Sequence, residues 1–261
     1  MRKISYFILA LILILATDNS LADRRYFGWS YLAYTLPSQA FELEIWNTYS
    51  IGKEMGYYYQ TQPRFEFEYG VTDRLSASFY FNFNQIIVED NSYESKNFNF
   101  SSSSIELRYR LTNPDEIFID PALYFEFAYG GDELEYEAKA IFSKRLGNFI
   151  TVINFSGEIE REIIESKNES VLEITAGLMY DLNPNFALGI EFRNHREYEG
   201  IYDDEEYQAT FFGPTINVQT KSFYLTLNFL PQIVGNPATQ SGLELIGHEK
   251  YEFRTILGIE L

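Results

Sequence analysis

The sequence predicts an all-β membrane protein, a transmembrane antiparallel up-and-down β-barrel of about 12 strands behind a cleaved signal peptide. Three observations support this fold class. Apolar and polar residues alternate over long stretches, turn-forming residues recur at a nearly regular spacing, and no apolar run after residue 22 is long enough for a membrane helix. Within lipid only helices and closed barrels satisfy all their backbone hydrogen bonds, so an exported chain without membrane helices is either soluble in the periplasm or outside, or a barrel.

Residues 1–22 have the parts of a secretion signal. Arg2 and Lys3 supply the positive charge, residues 4–16 form the apolar core, and SLA at residues 20–22 is a small-residue cleavage site. An uncleaved anchor helix is the alternative, but the apolar run is shorter than the roughly 20 residues that span a bilayer. We therefore expect a mature chain that begins at Asp23.

Residues 23–36 precede the first clear strand. An additional strand here would give an odd count and would place the two termini on opposite sides of the membrane. We therefore expect this segment to plug the lumen or to cap its periplasmic mouth, and residues 37–261 to form the barrel.

The clearest hairpin is at residues 64–84, RFEFEYGVTDRLSASFYFNFN. Aromatic residues alternate with arginine and glutamate before the turn at Asp73, and with serine and asparagine after it. A period of two on both sides of a short turn predicts two long antiparallel strands, each with one aromatic and one polar face.

Similar hairpins follow along the chain. Short turns are predicted near Asp73, Asn113, Gly147, Pro184 and Lys221, about 37 residues apart, with longer polar loops between them. This asymmetry is typical of barrels with short periplasmic turns and longer external loops, and both termini are then periplasmic. The count could also be ten or fourteen, because residues 98–104 break the alternation. The predicted strands are 38–51, 57–70, 74–87, 98–112, 117–130, 133–146, 148–162, 170–182, 185–197, 206–220, 222–233 and 247–261.

A secreted β-sandwich or jelly roll is the soluble alternative, because it also alternates apolar and polar residues. Strands of about 12–14 residues favour the barrel, since strands in globular sheets typically have about 5–6. The last predicted strand alternates cleanly up to Leu261. It resembles the C-terminal assembly signal of outer-membrane proteins, although that signal usually ends in Phe.

Two stretches resemble a family of poorly characterised bacterial outer-membrane β-barrel proteins. They are LPSQAFELEIWNTY at residues 36–49 and FEFEYGVTDRLSASFYFN at residues 65–82, which match an LP-x-G-type turn, an acidic-aromatic strand and a YG-x-TDRL hairpin. The resemblance is specific over residues 26–84, with Gln39 where relatives often have Gly. More distantly, the chain is similar to barrels encoded with aromatic-degradation pathways and suspected of transport. The resemblance implies the fold and a place in the outer membrane of a Gram-negative bacterium, and supplies no catalytic residues.

The composition limits the possible partners. The chain has 20 basic and 38 acidic residues, which makes nucleic acid a poor partner because phosphate binding needs a basic surface. Cysteine is absent, which excludes a disulfide framework, a thiolate metal site and a cysteine nucleophile. The expected partners are outer-membrane lipid and lipopolysaccharide, the barrel assembly machinery and an unidentified small solute.

If the aromatic face meets lipid, the polar face lines the lumen. Two interpretations of its charges are open: a salt-bridge network that fills a narrow lumen, or a selectivity region, since acidic rings favour cations. The candidate lumen and selectivity residues are Glu42, Glu44, Arg64, Glu66, Glu68, Glu106, Arg108, Arg110, Glu126, Glu191, Arg193, Glu252 and Arg254.

Catalysis has little support in the sequence. A barrel lipase needs a Ser–His pair, but the only histidines are His195 and His248, and the residues two positions after them are Glu197 and Lys250. The acidic run at residues 203–206 is expected to be solvated surface, or else a divalent-ion site that bridges lipopolysaccharide. No catalytic residue, metal ligand or cofactor is predicted.

These observations favour a passive outer-membrane channel or transporter for small solutes, with an acidic lumen that prefers cations. The alternative is a non-conducting structural or surface-interaction barrel with a salt-bridged lumen. A lipid-modifying or proteolytic barrel enzyme is a third, less favoured class.

Overall fold

The computed structural model describes residues 25–54, 56–90 and 93–261, so the predicted signal peptide lies outside the described residues. These residues form a closed barrel of twelve antiparallel strands, which confirms the predicted fold class and strand number. No helix among them is long and apolar enough to cross a membrane. The strands are β1 (Phe41–Ile51), β2 (Tyr57–Thr72), β3 (Leu75–Asp90), β4 (Tyr93–Arg110), β5 (Asp120–Gly130), β6 (Glu133–Leu146), β7 (Phe149–Glu162), β8 (Asn168–Asn183), β9 (Phe186–Glu199), β10 (Asp204–Gln219), β11 (Phe223–Asn236) and β12 (Tyr251–Glu260).

The barrel closes between its first and last strands. Each strand pairs with its neighbours in the chain, and β1 pairs with β12 from Glu42 opposite Glu260 to Ile51 opposite Tyr251. Closure leaves no sheet edge, so backbone hydrogen bonds are made around the whole wall. The strands have 10 to 18 residues, enough for a tilted strand to cross a bilayer, which needs about 9–11.

The two faces of the wall have opposite character. In β2, Phe65 and Phe67 are each 37% exposed on the outside, whereas Glu66 and Glu68 between them are almost completely buried inside. A soluble sandwich would bury the aromatic face instead. An apolar exterior around a polar interior is the arrangement that lipid requires of a barrel.

A β-bulge explains the break in alternation at residues 98–104. Asn82 pairs with Ser102, but the next residue, Phe83, pairs with Phe100, so Ser101 is an extra residue in β4. Phe100 and Ile105 are both 53% exposed on the outer face although one position number is even and the other odd. The bulge therefore shifts the parity of the strand and keeps its apolar side chains facing out.

The predicted asymmetry of loop lengths is wrong at three connections, those between β3 and β4, between β4 and β5, and between β5 and β6. The connection between β5 and β6 is only Gly131 and Asp132, whereas residues 111–119 separate β4 from β5 at the opposite end. Between β3 and β4 the reason is that both strands continue pairing into the stretch predicted as a loop, as far as Asp90 and Tyr93. Between β4 and β5 the strands instead stop short of their predicted ends at residues 112 and 117. We call the end of the barrel that holds the β2–β3, β4–β5, β6–β7, β8–β9 and β10–β11 connections the turn end, and the opposite end the loop end.

The last strand shows the largest shift of a strand start that was predicted too early. It begins at Tyr251 rather than at residue 247, because most of residues 237–250 fold inward at the loop end, although Lys250 keeps backbone hydrogen bonds to Gly52 and Gln232 of the wall. We call residues 237–250 the inner loop.

Candidate functional site

Residues 25–36, which we call the lumen segment, lie inside the turn end of the barrel. They form no regular secondary structure, and most of their side chains are buried. The segment contacts every strand of the barrel. The wall residues in contact are Glu44 in β1, Glu66 in β2, Ser76 in β3, Arg108 in β4, Tyr124 in β5, Ser143 in β6, Asn154 in β7, Met179 in β8, Glu191 in β9, Asn217 in β10, Thr226 in β11 and Arg254 in β12.

The polar wall satisfies the backbone of the lumen segment. The Glu191 carboxylate accepts hydrogen bonds from the backbone N–H groups of Gly28, Trp29 and Ser30, at 2.9, 2.9 and 2.6 Å. Asn154 accepts from the Tyr31 N–H at 2.6 Å and donates to the Tyr31 carbonyl at 3.0 Å. Irregular backbone at membrane depth is tolerated only when protein or water satisfies it, and here wall side chains supply these partners.

Further wall residues bind the remainder of the segment. Ser143 Oγ accepts from the Ala33 N–H at 3.0 Å, and Ser76 Oγ accepts from the Leu36 N–H at 2.9 Å. At Gly177 in β8, an added Cβ would lie 2.4 Å from the Phe27 ring, so glycine leaves the room that this aromatic side chain occupies.

Arg25 joins the segment to the first two strands. Its guanidinium lies 3.3 Å from Glu44 and 3.5 Å from Glu66, and it stacks on Tyr31 with its Cζ 3.7 Å from the ring centroid. Tyr224 donates to Glu44 and also to Glu42, the latter at 2.9 Å. A buried arginine needs such partners because an unpaired buried charge is strongly destabilising.

A second buried arginine lies on the wall. Arg108 is only 1% exposed and lies 3.0 Å from Glu68 and 3.2 Å from Glu106. It also donates to the Tyr34 carbonyl of the lumen segment at 3.3 Å. This cluster connects β2, β4 and the segment at the turn end.

A third group of charged residues surrounds the Trp29 ring, on the side of the lumen segment that faces the loop end. Arg193 and Arg254 stack on its ring with their Cζ atoms 3.8 and 3.3 Å from the centroid. Arg193 also binds Glu173 at 2.6 Å and Glu252.

The structure gathers most of the predicted lumen residues into these groups, and Arg64 lies 3.7 Å from Glu126 nearby. Arg110 is the exception. It is the last residue of β4, so its guanidinium lies at the turn end, where it donates to the Asp73 carbonyl at 2.7 Å. Arg25 was not among the predicted site residues. The available signal was a pair of arginines, at positions 24 and 25, at the start of an aromatic stretch that precedes acidic strands.

Cavities lead from the loop end down to the lumen segment. The deepest has a volume of about 150 Å³, and Trp29 and Tyr31 of the segment line it. It shares Arg64 and Glu135 with a neighbouring cavity of about 310 Å³. A third cavity of about 230 Å³ adjoins this one at Gly130 and Glu133 and lies at the rim. Together they form a stepped vestibule that ends on the lumen segment.

The inner loop is bound to the loop end of the wall. Gln232 of β11 donates to the Glu244 carbonyl at 2.8 Å, and the Glu54 N–H donates to the Leu245 carbonyl at 2.9 Å. The Glu244 carboxylate accepts from the backbone N–H groups of Ile246, Gly247 and His248, and from His248 Nδ1 at 2.7 Å. Burial alone would raise the pKa of Glu244, but these hydrogen bonds outweigh it and lower that pKa.

One further cluster of inward-facing residues was not predicted from the sequence. His195 and Glu197 point inward from β9, and His248 of the inner loop meets them with its ring centroid 5.2 Å from that of His195. The Nε2 atoms of both histidines lie 3.5 Å from Glu197 Oε1. A spacing of two residues on a strand was the only local signal, because the third residue comes from a distant loop.

The closed wall, apolar exterior and charged interior are those of a transmembrane β-barrel. The chain belongs to a family of unknown function, DUF6662, whose family model matches residues 19–261. No curated protein matches it in sequence.

Solved outer-membrane barrels share the fold. The COG4313 outer membrane channel from Pseudomonas putida F1 has a TM-score of 0.61 at 13% identity, over 88% of this chain and 98% of that one. The NanC porin has a TM-score of 0.57 at 11% identity, over 84% of this chain and 100% of that one. The translocator domain of the autotransporter NalP from Neisseria meningitidis has a TM-score of 0.55 at 11% identity, over 86% and 89%. At such low identity the similarity concerns the fold alone.

Proposed function

We propose that this protein is an outer-membrane channel for small solutes that rests closed and opens when the lumen segment is displaced. One observation carries the proposal: the lumen segment contacts every strand at the turn end, while an open vestibule leads down to it from the loop end. The channels and porins with the same fold are consistent with it. In this proposal the turn end and both termini are periplasmic.

The vestibule favours cationic solutes at its entrance. Five acidic residues and one lysine line the rim cavity: Asp132, Glu133, Glu160, Glu162, Glu169 and Lys167. Deeper down, lysine and arginine side chains accompany the carboxylates, so the excess of negative charge is greatest at the rim. Acidic rings raise the local concentration of cations.

The second candidate is a permanently closed barrel that acts in structure or surface interaction. The hydrogen bonds from Gly28, Trp29 and Ser30 to buried Glu191 favour it, because they hold the segment as firmly as a structural core element. Opening must break these bonds or be driven by a ligand or partner that stabilises the displaced segment.

Conductance in a planar bilayer separates the two candidates. We would compare the refolded chain with a variant that lacks residues 23–36, under a salt gradient. The channel proposal expects rare, brief steps for the parent and frequent, larger steps for the deletion variant, with a reversal potential shifted towards that of the cation. Circular dichroism and heat-modifiable migration in gels establish that both chains are folded.

Two results would count against a gated channel. A folded deletion variant as silent as the parent would support the permanently closed barrel. Equal conductance of parent and variant would show that the lumen segment does not close the path.

A further inference from the structure

Two histidines and one glutamate converge at the loop end with the geometry of metal ligands. His195 and Glu197 occupy alternate positions of β9 and share its inward face, and His248 approaches from the inner loop. Each Nε2 lies 3.5 Å from Glu197 Oε1. Ligand atoms about 2.1 Å from a tetrahedral metal ion lie about 3.4 Å from one another. Both histidine–glutamate pairs already have this spacing, and all three ligand atoms lie within 4.8 Å of one another.

Neighbouring side chains hold both rings in this orientation. His248 Nδ1 lies 2.7 Å from the Glu244 carboxylate, whose other bonds go to backbone N–H groups of the inner loop. His195 Nδ1 lies 2.9 Å from Glu173 and 2.8 Å from Arg193. The Nδ1 atoms are therefore engaged, and the Nε2 atoms face Glu197. A carboxylate behind a histidine is the usual second partner of a metal-binding imidazole.

An unpartnered buried atom also points to a ligand. His248 is only 4% exposed, and its Nε2 is buried without a hydrogen-bond partner among the residues that the structure describes. Buried side-chain nitrogens are nearly always bonded, and an exception requires an explanation. A metal ion at the point where the Nε2 atoms meet Glu197 would supply the missing bond.

We propose that His195, Glu197 and His248 bind one divalent transition-metal ion, which fastens the inner loop to β9. Two imidazoles and one carboxylate suit zinc and its transition-metal neighbours, and they leave a coordination position open. Calcium and magnesium prefer sites made of oxygen atoms alone. The site does not depend on conduction and would exist equally in an open, gated or sealed barrel.

A separate cluster of three glutamates provides the matched control. Glu135, Glu158 and Glu160 also lie within ligand distance of one another, but they contain no histidine. A Glu160→Gln variant removes a lumen carboxylate without touching the proposed site. It therefore separates specific binding from general attraction of cations to an acidic interior.

Calorimetric titration with Zn²⁺ tests the proposal on the refolded full barrel in detergent. We expect one ion per chain that excess Ca²⁺ or Mg²⁺ does not displace. His195→Gln and His248→Gln should each weaken binding at least 100-fold. Glu244→Gln, which removes the charge of the group that binds His248 Nδ1 and three backbone N–H groups of the inner loop, should weaken it about 10- to 100-fold. Glu160→Gln should bind Zn²⁺ as the parent does.

Co²⁺ in place of Zn²⁺ gives a readout that a structural effect alone would not change. Bound Co²⁺ of low coordination number absorbs visible light strongly, and this absorption should be present in Glu160→Gln and lost in either histidine variant. If one histidine variant does not fold, the parent spectrum and the other histidine variant still decide. Absence of Zn²⁺ binding by the parent, ready displacement by Ca²⁺, or unchanged binding in a folded histidine variant would overturn the proposal.

Discussion

Glu191 shows how a single side chain can hold a peptide inside a membrane barrel. Its carboxylate accepts three consecutive backbone N–H groups of the lumen segment and a further hydrogen bond from Asn228 at 2.9 Å. Three consecutive N–H groups pointing at one anion resemble the start of a helix, where free N–H groups bind anions. Here the anion is a side chain of the wall, and the N–H groups belong to the lumen segment, which is the part that moves in the proposed gate.

Replacing Glu191 should loosen this gate. Hydrogen bonds to a charged group contribute roughly 1.5–3 kcal/mol each, so Glu191→Ala should raise the open fraction at least about tenfold in single-channel recordings. Glu199→Ala is the matched control, because Glu199 ends the same strand but is exposed at the loop end. Equal open fractions in the two folded variants would argue against Glu191 as the residue that holds the segment.

Gln39 and Gly70 form a second residue-scale feature, at the turn between the lumen segment and β1. Gln39 has a φ of 70°, in the left-handed region that favours glycine, and its N–H donates to the Gly70 carbonyl at 2.8 Å. A Cβ on Gly70 would lie 1.9 Å from the Pro37 carbonyl oxygen. The glycine of the YG-x-TDRL hairpin therefore makes room for the LP turn, which links the two stretches of the family resemblance.

Because of this geometry, substitutions at Gln39 and at Gly70 should change the stability of the barrel in opposite directions. Gln39→Gly should stabilise the barrel by up to about 1 kcal/mol, because a left-handed residue with a side chain is strained. Gly70→Ala should destabilise it through the clash with Pro37. Both effects are measurable as shifts in the temperature at which the barrel unfolds in detergent, with Ser38→Gly as the control. A lower unfolding temperature for Gln39→Gly would contradict the assigned strain.

At the scale of elements, the lumen segment binds the barrel wall as a peptide ligand binds a receptor, although both belong to one chain. Its side chains pack in apolar clusters with the wall, one of which brings Phe27 and Leu32 together with Ile150 and Met179. Its backbone uses polar wall groups, and Arg25 pairs with carboxylates. These contacts combine shape, hydrogen bonding and charge.

A synthetic peptide of residues 23–36 should therefore block the deletion variant. Added on the side of the turn end, it should reduce the conductance in proportion to its concentration. The same peptide with Arg25→Glu should block at least about tenfold less well, because it places a carboxylate beside Glu44 and Glu66. Equal block by both peptides would mean that charge pairing does not direct the segment to its place.

Much of the wall was predictable from the sequence, because an alternation of period two assigns each strand residue to one face. That is why Glu66 and Glu68 were expected inside the barrel and lie there. The bulge at Ser101 was visible only as a break in parity, since an extra residue has no sequence signal apart from its effect on the alternation. The inner loop was not predictable, because its path depends on contacts such as Gln232 with Glu244 rather than on a repeat.

At the scale of the whole molecule, the charge is unevenly distributed. The chain has 38 acidic and 20 basic residues, and the buried arginines are each paired with carboxylates near the lumen segment. The rim cavity keeps an excess of acids with only Lys167 against them. The field that a solute meets first is therefore negative, and it weakens with depth.

This distribution predicts a selectivity that depends on salt. In the deletion variant, cation preference should be strong at 0.1 M salt and weak at 1 M, because the screening length falls from about 10 to about 3 Å. A Glu160→Gln and Glu162→Gln double variant should lose part of the preference at low salt. Reversal potentials at both concentrations provide the test, and anion preference at low salt would contradict the assignment.

The lumen segment also ties together the earliest and latest parts of the chain. It directly precedes β1, yet Arg25 and Gly28 have partners on β10, β11 and β12, the last strands in sequence. Those partners lie on the strands that complete the wall, so we expect the seating of the segment and the closure of the β1–β12 seam to be one cooperative step of assembly. Until the final strand is in place, part of the segment's backbone has no partner. The N-terminal lumen segment therefore has all of its binding partners only in a barrel whose C-terminal strand is in place.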